Sequence, residues 1–140
     1  MGIVARAPGP NVLPYVVSGT SDTILVTTPL ALSGPDLREV KSVTRSSWSI
    51  LSGRHRTTTL VLILNPEAVV RFQNEVSLAV SRADRFAILL GGEAIGTMIG
   101  QFQLEGSAFA IDASFFSVGT EREKERETRT LARQINAALR

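Results

Sequence analysis

Residues 57–67 read TTTLVLILNPE, and this stretch predicts how the middle of the chain folds. Threonine and branched apolar residues fill its first eight positions, Thr57 to Leu64, and favour a β-strand. Because residues 60–64 are apolar at every position, we expect this strand in the middle of a sheet with both faces covered. The last three residues supply an N-cap asparagine, a proline at the first helical position and a carboxylate at the positive end of a helix dipole. A helix should therefore follow the strand directly.

The helix after this strand is predicted to be short, covering residues 66–74. Every second residue from Val76 to Val80 is a valine or leucine between smaller or polar neighbours, which is typical of a strand. A similar alternation runs from Phe86 to Leu90. We therefore expect these two strands to pair as a hairpin across the polar link at 82–84.

The chain before residue 57 predicts further strands. Runs rich in valine, isoleucine, threonine and tryptophan cover Tyr15 to Ser18, Thr23 to Thr28 and Val43 to Leu51. A glycine-containing link, residues 52–56, joins the last of these runs to the strand that begins at Thr57. This arrangement predicts a hairpin whose loop is residues 52–56.

The chain beyond residue 90 is predicted to continue as a meander. Glycine-containing turns at 91–93 and 105–106 separate two expected strands, Ile95 to Leu104 and Ala108 to Val118.

A C-terminal helix is predicted over residues 120–139. Thr120 and Glu123 have the spacing of a capping box, and large apolar residues recur every four positions from Leu131 to Leu139. Residues 121–129 include no apolar residue. We therefore expect the first half of the helix to be solvated and its last three turns to pack on the sheet.

Together these elements predict an α+β fold. A mostly antiparallel β-sheet, either a meander or barrel-like, carries one short internal helix and a C-terminal helix packed on it. Residues 1–14, with three prolines and two glycines, are expected to form an extended N-terminal lead-in. Residues 15–140, including the C-terminal helix at 120–139, are expected to form a single β-rich domain, since this length suits one domain.

Composition and motifs exclude several kinds of site. The chain has no cysteine, so disulfides, cysteine-containing zinc sites, iron–sulfur clusters and thiol nucleophiles are all ruled out. The glycine-rich segment 91–96 matches neither the dinucleotide fingerprint nor the phosphate loop. We predict no catalytic residue, no metal site and no cofactor, and we consider an enzyme less favoured than a binding protein.

Two further patterns bear on location. The longest apolar stretch, residues 86–100, is too short for a bilayer and contains Glu93 in its middle, so no transmembrane segment is expected. Residues 1–17 lack the features of a secretory signal, which favours a cytoplasmic protein.

The candidate ligand-binding residues are Arg54, His55 and Arg56 in the predicted loop, and Trp48 on the strand before it. Guanidinium groups bind phosphate oxygens in pairs, and an indole ring offers a stacking surface. The alternative interpretation is a solvated hairpin loop with Trp48 in the core. His55 is the only histidine, and catalysis by it requires an orienting carboxylate and a nucleophile that the sequence does not identify.

The sequence therefore favours a non-enzymatic binding or assembly module that acts through protein–protein contacts, by a sheet edge or by the C-terminal helix. A protein partner or self-association is expected. The alternative is a protein that binds an anionic ligand (phosphate, lipid headgroup or nucleic acid) through Arg54, His55 and Arg56. Against a nucleic-acid partner, the formal net charge is only +2.

Overall fold

A computed structural model describes residues 1–51, 53–99 and 104–139. In this part of the chain the fold is mixed α+β, as predicted, with two helices and two mostly antiparallel sheets. The strands in chain order are β1 (Gly2–Ile3), β2 (Val12–Val17), β3 (Thr23–Thr27), β4 (Leu37–Ser49), β5 (Gly53–Leu64), β6 (Arg85–Leu90), β7 (Glu93–Ile99), β8 (Leu104–Glu105) and β9 (Ala108–Asp112). The helices are α1 (Pro66–Ser81) and α2 (Glu121–Ala138), and two 3-10 turns cover Gly34–Asp36 and Ala113–Phe115.

The chain divides into two compact units, and each is built from two separate segments. The first unit contains the described residues of Met1–Asp36 and Pro66–Phe102. The second contains those of Leu37–Asn65 and Gln103–Arg140.

The first unit contains a five-stranded sheet in the order β1-β6-β7-β2-β3, in which only β2 and β7 pair in parallel. Val4 forms a bridge with Val26 of β3, which links the two outer strands of this sheet. Gly91 and Gly92 both have positive φ, as the two-residue turn between β6 and β7 requires. Residues 2–3 of the expected lead-in pair with β6, so this segment contributes to the sheet.

Helix α1 is longer than predicted and replaces an expected strand. It continues to Ser81, so the segment from Val76 to Val80 is helical and the predicted hairpin with residues 86–90 is wrong. In so short a run, the spacing of a strand and the spacing of a helix fit some of the same apolar positions. Over the whole segment the apolar residues have the spacing of a helix, and the segment is helical. Four buried side chains, at spacings of four, four and three residues, form one continuous face: Ala68, Phe72, Val76 and Ala79.

The second unit contains a four-stranded sheet in the order β4-β5-β9-β8. Strands β4 and β5 form a long antiparallel hairpin, and β5 is central, as predicted for residues 57–64. The segment predicted as a strand from Ala108 to Val118 is a strand only to Asp112, whose carboxylate accepts a hydrogen bond from the backbone of Ser114 and caps a 3-10 turn.

The predicted meander after residue 90 is also wrong, because its strands belong to different sheets. Strand β7 lies in the first unit, whereas β8 and β9 lie in the second. Residues 100–103 of the predicted strand Ile95 to Leu104 lie outside the described residues.

Helix α2 confirms the predicted C-terminal helix and its capping box. The Thr120 hydroxyl accepts a hydrogen bond from the Glu123 backbone, and the Glu123 carboxylate accepts one from the Thr120 backbone. Its first half is not simply solvated, however. Thr128 is fully buried, and Glu127 accepts a hydrogen bond from the buried Ser117 hydroxyl. The first half of α2 has no apolar side chain, and hydrogen-bonded polar groups anchor it instead.

Candidate functional site

The candidate site lies at the far end of the β4–β5 hairpin. Trp48 pairs with Arg54, Ser47 with His55 and Ser46 with Arg56 across the two strands. The prediction that residues 52–56 form the loop is therefore wrong, since β5 begins at Gly53. The paired strand therefore begins before the threonines at which it was predicted to start. The described turn residues are Ile50 and Leu51, which precede the predicted loop.

The strand geometry separates the three predicted binding residues. Successive side chains of a strand point to opposite faces, so Arg54 and Arg56 share one face with Trp48 and His55 lies on the other. The structure thus brings Trp48 and Arg54 together as a directly opposed pair. It does not gather Arg54, His55 and Arg56 around one ligand.

Trp48 is not a core residue, so that part of the alternative interpretation is wrong, whereas Arg54 and His55 are exposed as it expected. Its side chain is 72% exposed, and the next two large apolar residues, Ile50 and Leu51, are 88% and 98% exposed. We call these three residues the apolar tip. Single exposed apolar residues are common, but three of them within four positions form a local patch. Sequence analysis missed Ile50 and Leu51, although an apolar pair next to a turn was visible there.

The charges around the tip are positive. Residues 45–56 contain three arginines and a histidine and no acidic residue. Arg56 pairs with Glu125 of α2 at 3.3 Å, and Glu125 also pairs with Arg129 at 3.0 Å. Arg45 and Arg54 are exposed and have no ion-pair partner within the part of the chain that the structure describes. We call Arg45 and Arg54 the arginine pair, and they lie on opposite faces of the hairpin.

His55 is exposed, and its cross-strand neighbour is Ser47. Among the described residues it has no hydrogen bond to a hydroxyl or carboxylate. A catalytic histidine needs a nucleophile beside it and a carboxylate that orients its ring, and the described residues do not form this arrangement around His55.

The outer edge of β4 is partly covered by a side chain that sequence analysis missed. Asn136 of α2 accepts a hydrogen bond from the Val40 N–H at 2.9 Å and donates one to the Val40 carbonyl at 2.8 Å. Val40 therefore directs both backbone groups away from β5. Because such groups alternate along an antiparallel strand, Ser42, Thr44 and Ser46 direct theirs to the same outer edge.

Among the described residues no neighbouring strand covers those three positions, since β4 is the outermost strand of its sheet. Within the described residues, Asn136 is also the only side chain that hydrogen-bonds to this edge. From Ser42 to Ser46 the outward backbone groups therefore have no strand or side-chain partner among the described residues. We call this stretch the open edge, and it leads directly to the apolar tip.

The first unit offers a weaker candidate. A pocket of about 170 Å³ is lined by residues 4–6 and 83–85, and it includes the 3.2 Å ion pair between Arg6 and Asp84. Neither Trp48, His55 nor Glu93 lines this pocket. Arg6 and Asp84 neutralise each other, which leaves Arg85 as the remaining charged group of the lining.

No group of three or more histidine, aspartate or glutamate side chains in the described ranges is placed to hold a metal ion. Neither described helix has the length and apolar character needed to cross a bilayer.

Comparison with known proteins gives no further guide. No protein-family model, no curated protein and no solved structure matches this chain.

Proposed function

We propose that this protein is a non-enzymatic binding or assembly module, and that the end of its β4–β5 hairpin is the contact surface. The observation that carries the proposal is the open edge of β4 from Ser42 to Ser46, which ends in the apolar tip. An open edge accepts a partner strand through backbone hydrogen bonds, and neighbouring apolar side chains add affinity. The partner class is a protein that supplies an extended segment.

The C-terminal helix supports this role less well than the edge does. Its large apolar residue Leu131 and its neighbour Ala132 are buried. Asn136 is engaged with Val40. The remaining exposed face is dominated by charged residues, and exposed charges on a single helix give weak contacts. The cytoplasmic location expected from the sequence stays a prediction.

Cross-linking in cells that make the protein tests strand addition. A photo-activated residue in place of exposed Ser46 is expected to capture one discrete protein, and the same residue in place of Arg122, on the exposed start of α2, is not. Adding Ser42→Pro should abolish capture at position 46, because proline removes an N–H that points to the open edge and leaves the bonds to β5 intact.

The control for Ser42→Pro is an unchanged circular dichroism spectrum and melting temperature. No adduct at position 46, equal adducts from position 122, or adducts that persist with Ser42→Pro would each contradict strand addition.

A second candidate function has an observation of its own. Trp48 stands directly opposite Arg54, and the surrounding residues 45–56 include no carboxylate. This favours binding of an anionic ligand, since a guanidinium and an indole side by side supply a charge and an apolar surface to one molecule.

A further inference from the structure

We infer that the hairpin end binds an anionic lipid surface, with the apolar tip inserted among the lipids and the arginine pair at the level of the headgroups. This inference rests on the second candidate function, anionic-ligand binding, and names its ligand. It concerns Ile50 and Leu51 as the inserted residues, Trp48 and Arg54 at the boundary between hydrocarbon and headgroups, and Arg45 as the cation behind them.

The tip exposes its apolar side chains at the end of the hairpin. Ile50 and Leu51 stand at the turn itself, almost fully exposed, and Trp48 follows on the strand. A convex turn places its side chains outward, so it suits a medium that can close around it. Two residues of strand span about 7 Å, which is the distance from the turn back to Trp48. This distance matches the depth of about 5–10 Å to which the apolar face of an amphipathic helix enters the membrane interface.

Residue types follow a definite order along the hairpin. The aliphatic side chains are at the turn, Trp48 and Arg54 lie at one level behind it, and Arg45 lies three residues further back. Tryptophan is enriched where hydrocarbon meets headgroups, and arginine binds the phosphates there. The residue types along the hairpin therefore follow the same order as the layers of a bilayer.

The local charge of the hairpin end is positive. Arg45 and Arg54 lie on opposite faces and have no ion-pair partner in the described ranges, and Arg56 shares Glu125 with Arg129. The start of α2 is on the same side of the sheet as Arg56, and its residues 121–124 carry two charges of each sign. The hairpin end is thus cationic where it would meet an anionic surface.

Other occupants use less of this surface. A nucleic acid would stack on Trp48 and pair with the arginines, yet it would leave Ile50 and Leu51 in water. A second copy of the chain, pairing here through its own hairpin end, would set arginines against arginines. A lipid surface satisfies both the apolar and the cationic groups.

Trp48 is the only tryptophan in the chain, so its fluorescence reports directly on the tip. The test compares vesicles of phosphatidylcholine with vesicles of equal parts phosphatidylcholine and phosphatidylserine. We expect the anionic vesicles to shift Trp48 emission to the blue, and brominated lipid chains to quench it. The effect should be weaker with neutral vesicles and at high salt.

A pair of matched variants tests the tip without removing the probe. Ile50→Ser/Leu51→Ser is expected to weaken binding to anionic vesicles by about tenfold or more, because two apolar side chains no longer enter the lipid. Val70→Ser/Val118→Ser changes two other exposed apolar residues and should leave binding unchanged. Arg45→Gln/Arg54→Gln should reduce the preference for phosphatidylserine. Circular dichroism confirms that each variant is folded.

Several results would overturn the inference. These are no emission shift with anionic vesicles, equal binding by the Ile50→Ser/Leu51→Ser variant, an equal shift with polyuridylate RNA, or full competition by inorganic phosphate. The last two results would assign the site to nucleic acid or to a small anion. Because Ser42→Pro should not affect vesicle binding, failure of lipid binding and failure of strand addition are distinguishable.

Discussion

Ala83 follows helix α1 with a φ of 55°, and among the described residues it is the only one other than glycine with a positive φ. The Asp84 N–H bonds to the Ala79 carbonyl at 2.9 Å, which is the pattern of a helix C-terminus closed by a left-handed residue. A residue with a Cβ is strained in this region by about 1–2 kcal/mol. We predict that Ala83→Gly raises the free energy of unfolding by roughly 1 kcal/mol, measured by urea denaturation.

The control is the same substitution inside the same helix. Ala79 is buried and helical, so Ala79→Gly should lower the free energy of unfolding by about 1 kcal/mol or more. If both substitutions change the free energy of unfolding in the same direction, the conformation of residue 83 does not determine the effect.

Asp36 in the first unit gives a prediction about pH. Partial burial acts to raise its pKa, but hydrogen bonds from the Ser33 backbone and from Arg71, whose guanidinium lies 2.5 Å away, outweigh burial and hold the pKa below its usual 3.8. A carboxylate with a lowered folded-state pKa stabilises the fold fully above the unfolded-state pKa and loses this contribution as the pH falls through the folded-state value.

We therefore expect Asp36→Asn to lower the melting temperature at pH 7 and to have little effect well below pH 3.8, where the wild-type carboxyl is protonated as well. Asp22, an exposed turn residue, supplies the matched control Asp22→Asn. A difference between wild type and Asp36→Asn that stays constant from pH 7 to strongly acid pH contradicts this assignment.

At the scale of elements, strand β4 depends on helix α2 for the protection of its edge. Val40 is buried, and both of its outward backbone groups bond to Asn136. We predict that Asn136→Leu lowers the free energy of unfolding by about 1–3 kcal/mol, because a buried donor and acceptor lose their partners. It should also promote self-association with increasing concentration, measured by sedimentation, since the open edge becomes longer.

Gln134→Leu is the control on the same helix, because Gln134 is exposed and should tolerate the change within about 0.5 kcal/mol. Asn136→Asp keeps the acceptor for the Val40 N–H and loses the donor to its carbonyl, so an intermediate loss is expected. If Asn136→Leu behaves like Gln134→Leu, the edge is not protected by this side chain.

The elements also show which local patterns are sufficient for prediction. The α2 capping box and the β5 apolar run carry their signals within a few residues, and both were predicted correctly. The end of α1 was not, because a run of five residues satisfies two periods at once. Asn136 was missed because an asparagine in a helix gives no sign of which distant backbone it meets.

At the scale of the whole molecule, each compact unit joins an early segment to a late one. Strand β2 pairs in parallel with β7, and β5 pairs with β9, so sheets are completed by residues far apart in the chain. Local periodicity contains no information about such partners. This is why the chain after residue 90 was predicted as one meander while its strands belong to two sheets.

Local sequence determined the fold class, the β4–β5 pairing, the capped terminal helix and the cationic composition of residues 45–56, because these depend on neighbours within a few positions. Tertiary structure alone decided that Asn136 covers Val40 and that Trp48 is exposed beside Arg54. The physical reason is that burial and hydrogen-bond partnership depend on which distant groups occupy the adjoining space, and a residue's type does not specify them.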